Sequence, residues 1–138
     1  TLFSTIKKGL SYYTLGTTAF IAIPDVINSM YRLMKSDCCN ERFTLIAENL
    51  VFKDVFFTIA DALKVKRPTR YASPLLTTIA WKIDALLAFL SIKKRTFSRV
   101  TAKASHSAIP YSNQKIVSQL EPTFTNIKAY IQEIAPTF

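Results

Sequence analysis

Residues 41–63 read ERFTLIAENLVFKDVFFTIADAL, and this stretch decides the fold class. Apolar and polar side chains alternate over residues 42–47, which predicts a β-strand. Asn49 is a residue type that favours a helix N-cap, and apolar residues three and four positions apart follow it. They predict the buried face of a helix that extends to Leu63: Val51, Phe52, Val55, Phe56, Ile59, Ala60 and Leu63. A strand followed directly by an amphipathic helix indicates a mixed α and β fold.

The residues upstream predict two helices and another strand. Residues 1–9 predict the end of a helix that stops at Gly9, and residues 10–14 predict a short extended piece. Gly16 begins a predicted turn over residues 16–18, and the apolar run 19–23 predicts a strand buried on both faces. Pro24 suits the first position of a helix that continues to about Lys35. Its apolar residues are expected to form one buried stripe: Val26, Ile27, Met30, Leu33 and Met34.

The residues downstream predict a basic connector and four more helices. The connector covers residues 64–71, and Ser73 with Pro74 opens a helix that continues to Leu90. Lys82 and Asp84 lie in the middle of this apolar helix, and each central charge costs about 2.5–3.5 kcal/mol in a bilayer, which disfavours a membrane span. Helices are also predicted over residues 100–107, over residues 113–120, and after a cap at residue 125 or 126. The 138 residues are therefore predicted to be a single helix-rich α+β domain with few short strands.

The positive charge is concentrated in one part of the chain. The net charge is +9, and residues 64–103 contain ten Lys and Arg against the single acidic residue Asp84. Three interpretations remain open: a solvated basic surface, a surface that meets an anionic membrane or an acidic partner, and contacts to a phosphate-bearing ligand. Nucleic acid is not expected as a partner, because the aromatic residues are not interleaved with these charges in a recognisable binding module.

Several kinds of site are not expected in this chain. Its two glycines, Gly9 and Gly16, are too few for a glycine-rich phosphate cradle. Cys38 and Cys39 are adjacent and therefore poor disulfide partners, and with His106 as the only histidine no metal site is expected. The N-terminal residues do not have the pattern of a signal peptide. Because reduced thiols are the default for these cysteines, a cytoplasmic location is expected, with peripheral association at a membrane as the alternative.

Five segments in order resemble a known family. Residues 8–26 (KGLSYYTLGTTAFIAIPDV) are similar to the glycine turn and strand-to-helix junction of extended short-chain dehydrogenases, the NAD-dependent epimerase/dehydratase family. Residues 41–50 (ERFTLIAENL) resemble the family's "E-R-Y-I-L-x-G-E-N-L" segment, and residues 55–63 (VFFTIADAL) resemble the helix that follows it. Residues 74–81 (PLLTTIAW) and 111–120 (YSNQKIVSQL) match two later segments. Together these segments cover nearly the whole chain.

The resemblance implies the C-terminal, substrate-binding lobe of a two-lobed enzyme, without its N-terminal Rossmann domain. In such an enzyme the Rossmann domain binds NAD or NADP and carries the catalytic Tyr and Lys of a Y-x-x-x-K motif. This segment is expected to bind no cofactor and to hold no catalytic residue. Tyr31 and Lys35 satisfy Y-x-x-x-K literally, but they follow the strand-to-helix junction and are interpreted as helix surface.

The resemblance also implies a substrate and partners. Tyr12 and Tyr13 match the segment that lines the family's pocket, and Arg99 is a candidate phosphate contact from the basic region. The implied substrate is a sugar-nucleotide or a small hydroxy or keto compound. However, the arginine that contacts the diphosphate in sugar-nucleotide enzymes is replaced here by residues 17–19 (TTA). The expected partners are this small molecule, the chain's own Rossmann domain and a second copy of the chain. The alternative is a basic, non-enzymatic module that binds an anionic membrane surface or an acidic partner.

Overall fold

The computed structural model describes residues 2–89 and 99–138, and over these residues the fold is helix-rich with short strands. The helices are α1 (Leu2–Lys7), α2 (Ile23–Met34), α3 (Phe52–Ala62), α4 (Pro74–Phe89), α5 (Arg99–Ala104), α6 (Gln114–Leu120) and α7 (Ile127–Ile134). The strands are β1 (Tyr12–Tyr13), β2 (Thr17–Phe20), β3 (Glu48–Val51) and β4 (Arg70–Tyr71). The predicted α+β class, helix-rich with short strands, is confirmed.

The described strands form two small sheets. β1 and β4 are parallel, with Tyr12 opposite Arg70 and Tyr13 opposite Tyr71. β2 and β3 are antiparallel, and their register runs from Thr17 opposite Val51 to Phe20 opposite Glu48. The short extended piece expected at residues 10–14 therefore contains a strand, and the basic connector at 64–71 supplies that strand's partner.

The strand predicted at residues 42–47 is wrong. Pairing with β2 begins at the backbone N–H of Ala47, which donates to the Phe20 carbonyl at 2.9 Å, and the strand occupies Glu48–Val51. Asn49 thus lies inside β3, and the N-cap of α3 is Val51, which makes no side-chain cap hydrogen bond. The turn predicted at residues 16–18 and the buried strand at 19–23 are also displaced, because the half-buried β2 begins at Thr17. The partner strand, rather than local alternation, sets both positions.

The hydrophobic core lies between α1, α3 and α7. Six buried residues form it: Ile6, Val55, Ile59, Ala60, Ile127 and Ile131. α3 therefore buries the face that its apolar spacing predicts. Asn126 caps α7 as expected, since its side chain accepts a hydrogen bond from the Ala129 N–H at 3.1 Å. The core joins residues from the first helix to residues more than a hundred positions later.

Helix α2 faces the opposite way from the predicted orientation. Its buried residues are the polar Asp25 and Ser29. Four apolar side chains are exposed, from 55% at Met30 to 83% at Met34: Ile23, Ile27, Met30 and Met34. At 100° per residue these four lie within an arc of about 60°, on the side opposite Asp25 and Ser29. The buried stripe predicted for α2 is therefore wrong, with Val26 and Leu33 only half-buried.

Polar contacts explain this orientation of α2. The carboxylate of Asp25 accepts hydrogen bonds from the Thr125 N–H at 2.7 Å and the Thr125 hydroxyl at 2.9 Å. Arg32 donates to the Leu120 carbonyl. A buried carboxylate needs such partners, and these fix the polar side of α2 against the segment that precedes α7.

Helix α4 packs against α5 and also exposes apolar residues. Six of its apolar side chains are exposed: Leu75, Leu76, Ile79, Ile83, Leu86 and Phe89. They lie within an arc of about 140°. No helix among the described residues is long and apolar enough to cross a membrane. The predicted end of this helix at Leu90, and the basic residues 93–95, lie outside the described residues.

Candidate functional site

A cavity of about 760 Å³ lies between α4 and α5. Its lining residues come from both helices and from the turn after α5: Pro74, Thr77, Thr78, Trp81, Lys82, Arg99, Ala102, Lys103, His106 and Ser107. Cavities that hold small molecules commonly have volumes of about 300–1,000 Å³. This one is large enough for a small organic ligand, and we call it the α4–α5 cavity.

A second cavity of about 510 Å³ lies on the other side of α5. It is lined by residues of β2, α3, α5 and the following loop: Thr17, Thr18, Phe52, Arg99, Val100, Lys103, Ala104, Ser107, Ile109 and Tyr111. Arg99, Lys103 and Ser107 line both cavities. The two basic side chains therefore stand between the cavities, where a ligand in either one can reach them.

The α4–α5 cavity is positively charged. Lys82, Arg99 and Lys103 line it, and the described lining residues include no Asp or Glu. Within the described part of the chain, the ion pairs are Arg67 with Asp61 and Lys115 with Glu41, so none of the three lining cations takes part in one. The Arg67 hydrogen bonds hold the pKa of Asp61 below its usual value, outside this cavity. The positive charges of these three side chains can therefore attract an anionic ligand to the cavity.

His106 is held in place at the wall of this cavity. Its Nε2 lies 3.0 Å from the Thr77 hydroxyl, and its ring meets the Tyr71 ring edge to face at 6.4 Å. The Thr77 hydroxyl also lies 3.0 Å from the Pro74 carbonyl, so it takes part in a small hydrogen-bond network at this wall. Thr77 is only 7% exposed.

Gly16 seats the end of α5 on β2. The Gly16 N–H donates to the Ser105 carbonyl at 3.1 Å, and the Thr17 N–H donates to the Ser107 carbonyl at 2.8 Å. A Cβ at Gly16 would lie 2.5 Å from the Ser105 oxygen, a distance that no side chain tolerates. The glycine is therefore required by this close approach, and the turn predicted for it is wrong. Its consequence is a fixed position for His106 and Ser107.

Asn49 fixes the loop at the second cavity. Its side-chain amide donates to the Tyr111 carbonyl at 2.9 Å, and its side-chain oxygen accepts from the Tyr111 N–H at 3.0 Å. This pair of bonds reproduces the pattern of a neighbouring β-strand. The predicted capping role of Asn49 is therefore wrong, and the residue instead positions Tyr111 at the second cavity.

The three predicted substrate contacts are not brought together. Arg99 lines both cavities, whereas Tyr12 and Tyr13 line neither. Tyr13 packs on Phe57 at 5.7 Å and on Tyr71 at 5.9 Å, and Tyr71 in turn contacts His106. The roles of Tyr12 and Tyr13 in substrate binding stay a prediction.

Sequence reasoning missed every residue of the α4–α5 cavity except Arg99, among them Thr77, Trp81, Lys103 and His106. The sequence contains one indication of these residues, which is their spacing along the helices. The first two are four residues apart on α4, and Arg99 and Lys103 are four apart on α5, so each pair shares a helix face. Which faces meet depends on how α4 packs on α5, and spacing within one helix does not reveal that.

Other predicted features lie apart from the cavities. Tyr31 is 55% exposed on α2 and carries the Lys35 ammonium 4.4 Å above its ring, which confirms the interpretation as helix surface. Cys38 and Cys39 are both free thiols. Among residues 2–89 and 99–138, no three His, Cys, Asp or Glu side chains are grouped so as to hold a metal ion.

Comparison with known proteins yields one structural likeness. No family model matches the chain, and no curated protein sequence matches it. The chain is similar to the crystal structure of gox2253, with a TM-score of 0.71 and 16% sequence identity. The match covers 95% of this chain and 40% of that one. At this identity the likeness shows a shared fold alone. The chain thus spans less than half the length of a protein that contains the same fold.

Proposed function

We propose that this chain is the substrate-binding portion of a larger NAD(P)-dependent oxidoreductase, epimerase or dehydratase of the extended short-chain dehydrogenase type. In this proposal an N-terminal Rossmann domain holds NAD or NADP and carries the catalytic residues. The present segment binds a sugar-nucleotide or a small hydroxy or keto substrate. The observation that carries the proposal is the outward apolar face of α2.

The exposed apolar face of α2 is suited to packing against another protein surface. Ile23, Ile27, Met30 and Met34 are each more than half exposed, while polar contacts fix the other side of the helix. Covering a fully exposed Ile or Met side chain contributes about 1.5–3 kcal/mol. A second domain that packs on this face would recover most of that free energy at each of the four side chains.

The length of the similar structure supports the same proposal. A fold that matches 95% of this chain occupies only 40% of the gox2253 chain, so the fold occurs there as one part of a longer protein. The rest of such a protein is long enough to form the proposed Rossmann domain, since domains of about 100–200 residues are common.

The two glycines of this chain have other structural roles, so we place the dinucleotide in the other domain. Gly9 ends α1 with a φ of +94°, and the space beside Gly16 is filled by Ser105. Neither glycine belongs to a cradle of backbone N–H groups of the kind that binds a diphosphate. We therefore assign substrate binding to this segment, and assign the cofactor and hydride chemistry to the Rossmann domain.

Intact-mass analysis of the natural gene product is the first test. We expect a longer chain that contains a Rossmann domain, and dehydrogenase activity in that product but not in the 138-residue chain alone. The double variant Ile27→Ser, Met34→Ser should leave the unfolding midpoint of the 138-residue chain unchanged, because both side chains are exposed. In the longer product it should lower stability and activity.

The matched control is Ile59→Ser on α3, where the side chain is 1% exposed; it should unfold both proteins. A natural product without a further domain, or turnover of a dehydrogenase substrate by the 138-residue chain alone, would overturn the proposal. Sedimentation distinguishes the remaining occupant of the α2 face: if a second copy covers it, the 138-residue chain forms a dimer that the double variant loses.

The outward apolar face of α4 favours a second candidate function, a basic module on an anionic membrane surface. Leu75, Ile79, Ile83 and Leu86 lie on one exposed face of a segment that carries the excess positive charge. Such a helix binds a lipid surface through its apolar side, assisted by attraction between basic residues and anionic lipid. Binding to anionic but not neutral liposomes, reduced by salt and by Ile79→Asn, would support it. Equal binding to both liposomes would exclude it.

A further inference from the structure

The geometry points to the α4–α5 cavity as a binding site for a phosphate-bearing small molecule, with Arg99 and Lys103 on the phosphate and Trp81 beside the organic part. This inference deepens the proposed function, and it rests on that function only for the identification of the ligand as the substrate. Whether the cavity binds phosphate can be measured on the 138-residue chain itself.

Helix α5 places two positive charges at the cavity. Arg99 and Lys103 are four residues apart in α5 and therefore lie on the same face of the helix. Like charges at this spacing repel each other. No acidic residue among the described lining residues offsets them, and Lys82 of α4 adds a third positive charge across the cavity. A bound dianion would relieve this repulsion.

The lining residues also supply hydrogen-bond donors that suit a phosphate group. An arginine guanidinium presents paired N–H donors that match two phosphate oxygens, and a lysine ammonium adds a further donor. His106 and Ser107, at the turn after α5, line the same wall. The ring of His106 is held by Thr77 and by Tyr71, so this part of the site is preformed. Bonding from several directions favours a tetrahedral phosphate over a flat carboxylate.

The other walls of the cavity are largely apolar. Pro74, Trp81 and Ala102 give the cavity an apolar side beside the charged one. Trp81 is the only tryptophan in the chain, and its side chain is half-buried. A volume of about 760 Å³ leaves room for an organic group beyond the phosphate. The expected ligand is therefore a phosphate ester with a compact apolar or ring-containing part.

Trp81 also provides the assay, since all tryptophan fluorescence of the chain comes from this cavity. The probes are phenyl phosphate, benzoate and phenol, which share the ring and differ in the anionic group. We expect a saturable fluorescence change with phenyl phosphate, binding at least about tenfold weaker with benzoate, and no saturation with phenol. Inorganic phosphate, followed by calorimetry, should compete with phenyl phosphate.

Charge-neutralising variants locate the site. Arg99→Gln and Lys103→Gln should each weaken phenyl phosphate binding about tenfold, because each removes hydrogen bonds to a charged group. Lys128→Gln is the matched control, since Lys128 is an exposed cation on α7 that lines neither cavity. All three side chains are exposed, so circular dichroism should show an unchanged fold.

Several results would overturn the inference. These are no saturable binding of phenyl phosphate to the folded chain, equal binding of benzoate, or an equal loss of affinity in Lys128→Gln. A response to vesicles of anionic lipid without a response to free phenyl phosphate would also overturn it, because the phosphate would then be a lipid headgroup. If the chain binds phosphate but its natural product contains no Rossmann domain, the phosphate site is retained and the proposed oxidoreductase is rejected. If the longer natural product is an active dehydrogenase but the 138-residue chain does not bind phosphate, the proposed function is retained and the phosphate site is rejected.

Discussion

Replacing Gly16 with alanine should loosen α5 from β2. The new Cβ would lie 2.5 Å from the Ser105 oxygen and 2.7 Å from the Ser105 carbonyl carbon, both of which are backbone atoms that cannot rotate away. Ordinary contacts between heavy atoms are about 3.5 Å, so the two segments must separate by about 1 Å. That separation breaks the 3.1 Å hydrogen bond from the Gly16 N–H and strains the 2.8 Å bond from the Thr17 N–H.

The magnitude follows from these two effects. Inserting a methyl group into filled space typically costs about 1–3 kcal/mol, and a lost hydrogen bond adds about 1 kcal/mol. We therefore expect Gly16→Ala to lower the free energy of unfolding by about 2–4 kcal/mol. For a domain of this size the unfolding midpoint should fall by roughly 6–12 °C, measured by circular dichroism.

Gly9→Ala is the control for the loss of a glycine as such. Gly9 has a φ of +94° and no atom within 4 Å of an added Cβ, so the substitution costs only backbone strain, about 1–2 kcal/mol. Gly16→Ala should also shift the emission maximum of Trp81, because the cavity wall moves, whereas Gly9→Ala should not. If Gly16→Ala is no more destabilising than Gly9→Ala and leaves Trp81 unchanged, α5 is not held by this contact.

Three further substitutions have definite expected outcomes. Asp25→Ala should lower the free energy of unfolding by about 1–3 kcal/mol in urea titrations, because the two groups of Thr125 that it accepts from lose their partner; no change would mean that water replaces the carboxylate without cost. Asn49→Ala should cost about 0.5–1.5 kcal/mol and speed amide hydrogen exchange in the loop before α6, and equal exchange in the two proteins would contradict the clamp. Hydrogen bonds from Arg67 lower the pKa of Asp61, so this pair stabilises the fold above the unfolded pKa of the carboxyl and stops doing so as pH falls through the folded value. The urea midpoint of Asp61→Asn should therefore lie below that of the natural protein at about pH 7, and the gap should close as pH falls through the lowered pKa of Asp61; a constant gap would contradict the assignment.

The helices were predicted well where local signals and packing agree. The apolar spacing of residues 51–63 places Val55, Ile59 and Ala60 on one face, and the core uses that face. Asn126 caps α7 as its residue type indicates, whereas Asn113 occupies the N-cap position of α6 without a side-chain cap hydrogen bond. In these elements the sequence pattern and the tertiary contacts favour the same structure.

The strands and the cavity could not be found in this way because distant residues decide them. The alternation at residues 42–47 is a valid strand pattern, but β3 begins six residues later, at Glu48, where β2 can pair with it. The α4–α5 cavity joins Trp81 to Lys103 and His106, and no local signal relates α4 to the residues that follow it. The periodicity of α2 correctly predicts a helix. It cannot tell which side faces outward when Asp25 has a partner a hundred residues away.

The core between α1, α3 and α7 constrains the order of events during synthesis. Ile6 and Val55 leave the ribosome well before Ile127 and Ile131, yet all four belong to the same buried cluster. Until α7 has been made, the apolar side of α3 is covered in part only, by α1, and the nascent chain presents the uncovered part to chaperones or to other chains. Contacts between such distant residues also slow folding, since a long loop must close before they form. Yield in the cell should therefore depend more on the residues of α7 than on those of a helix of comparable length outside this core, such as α6.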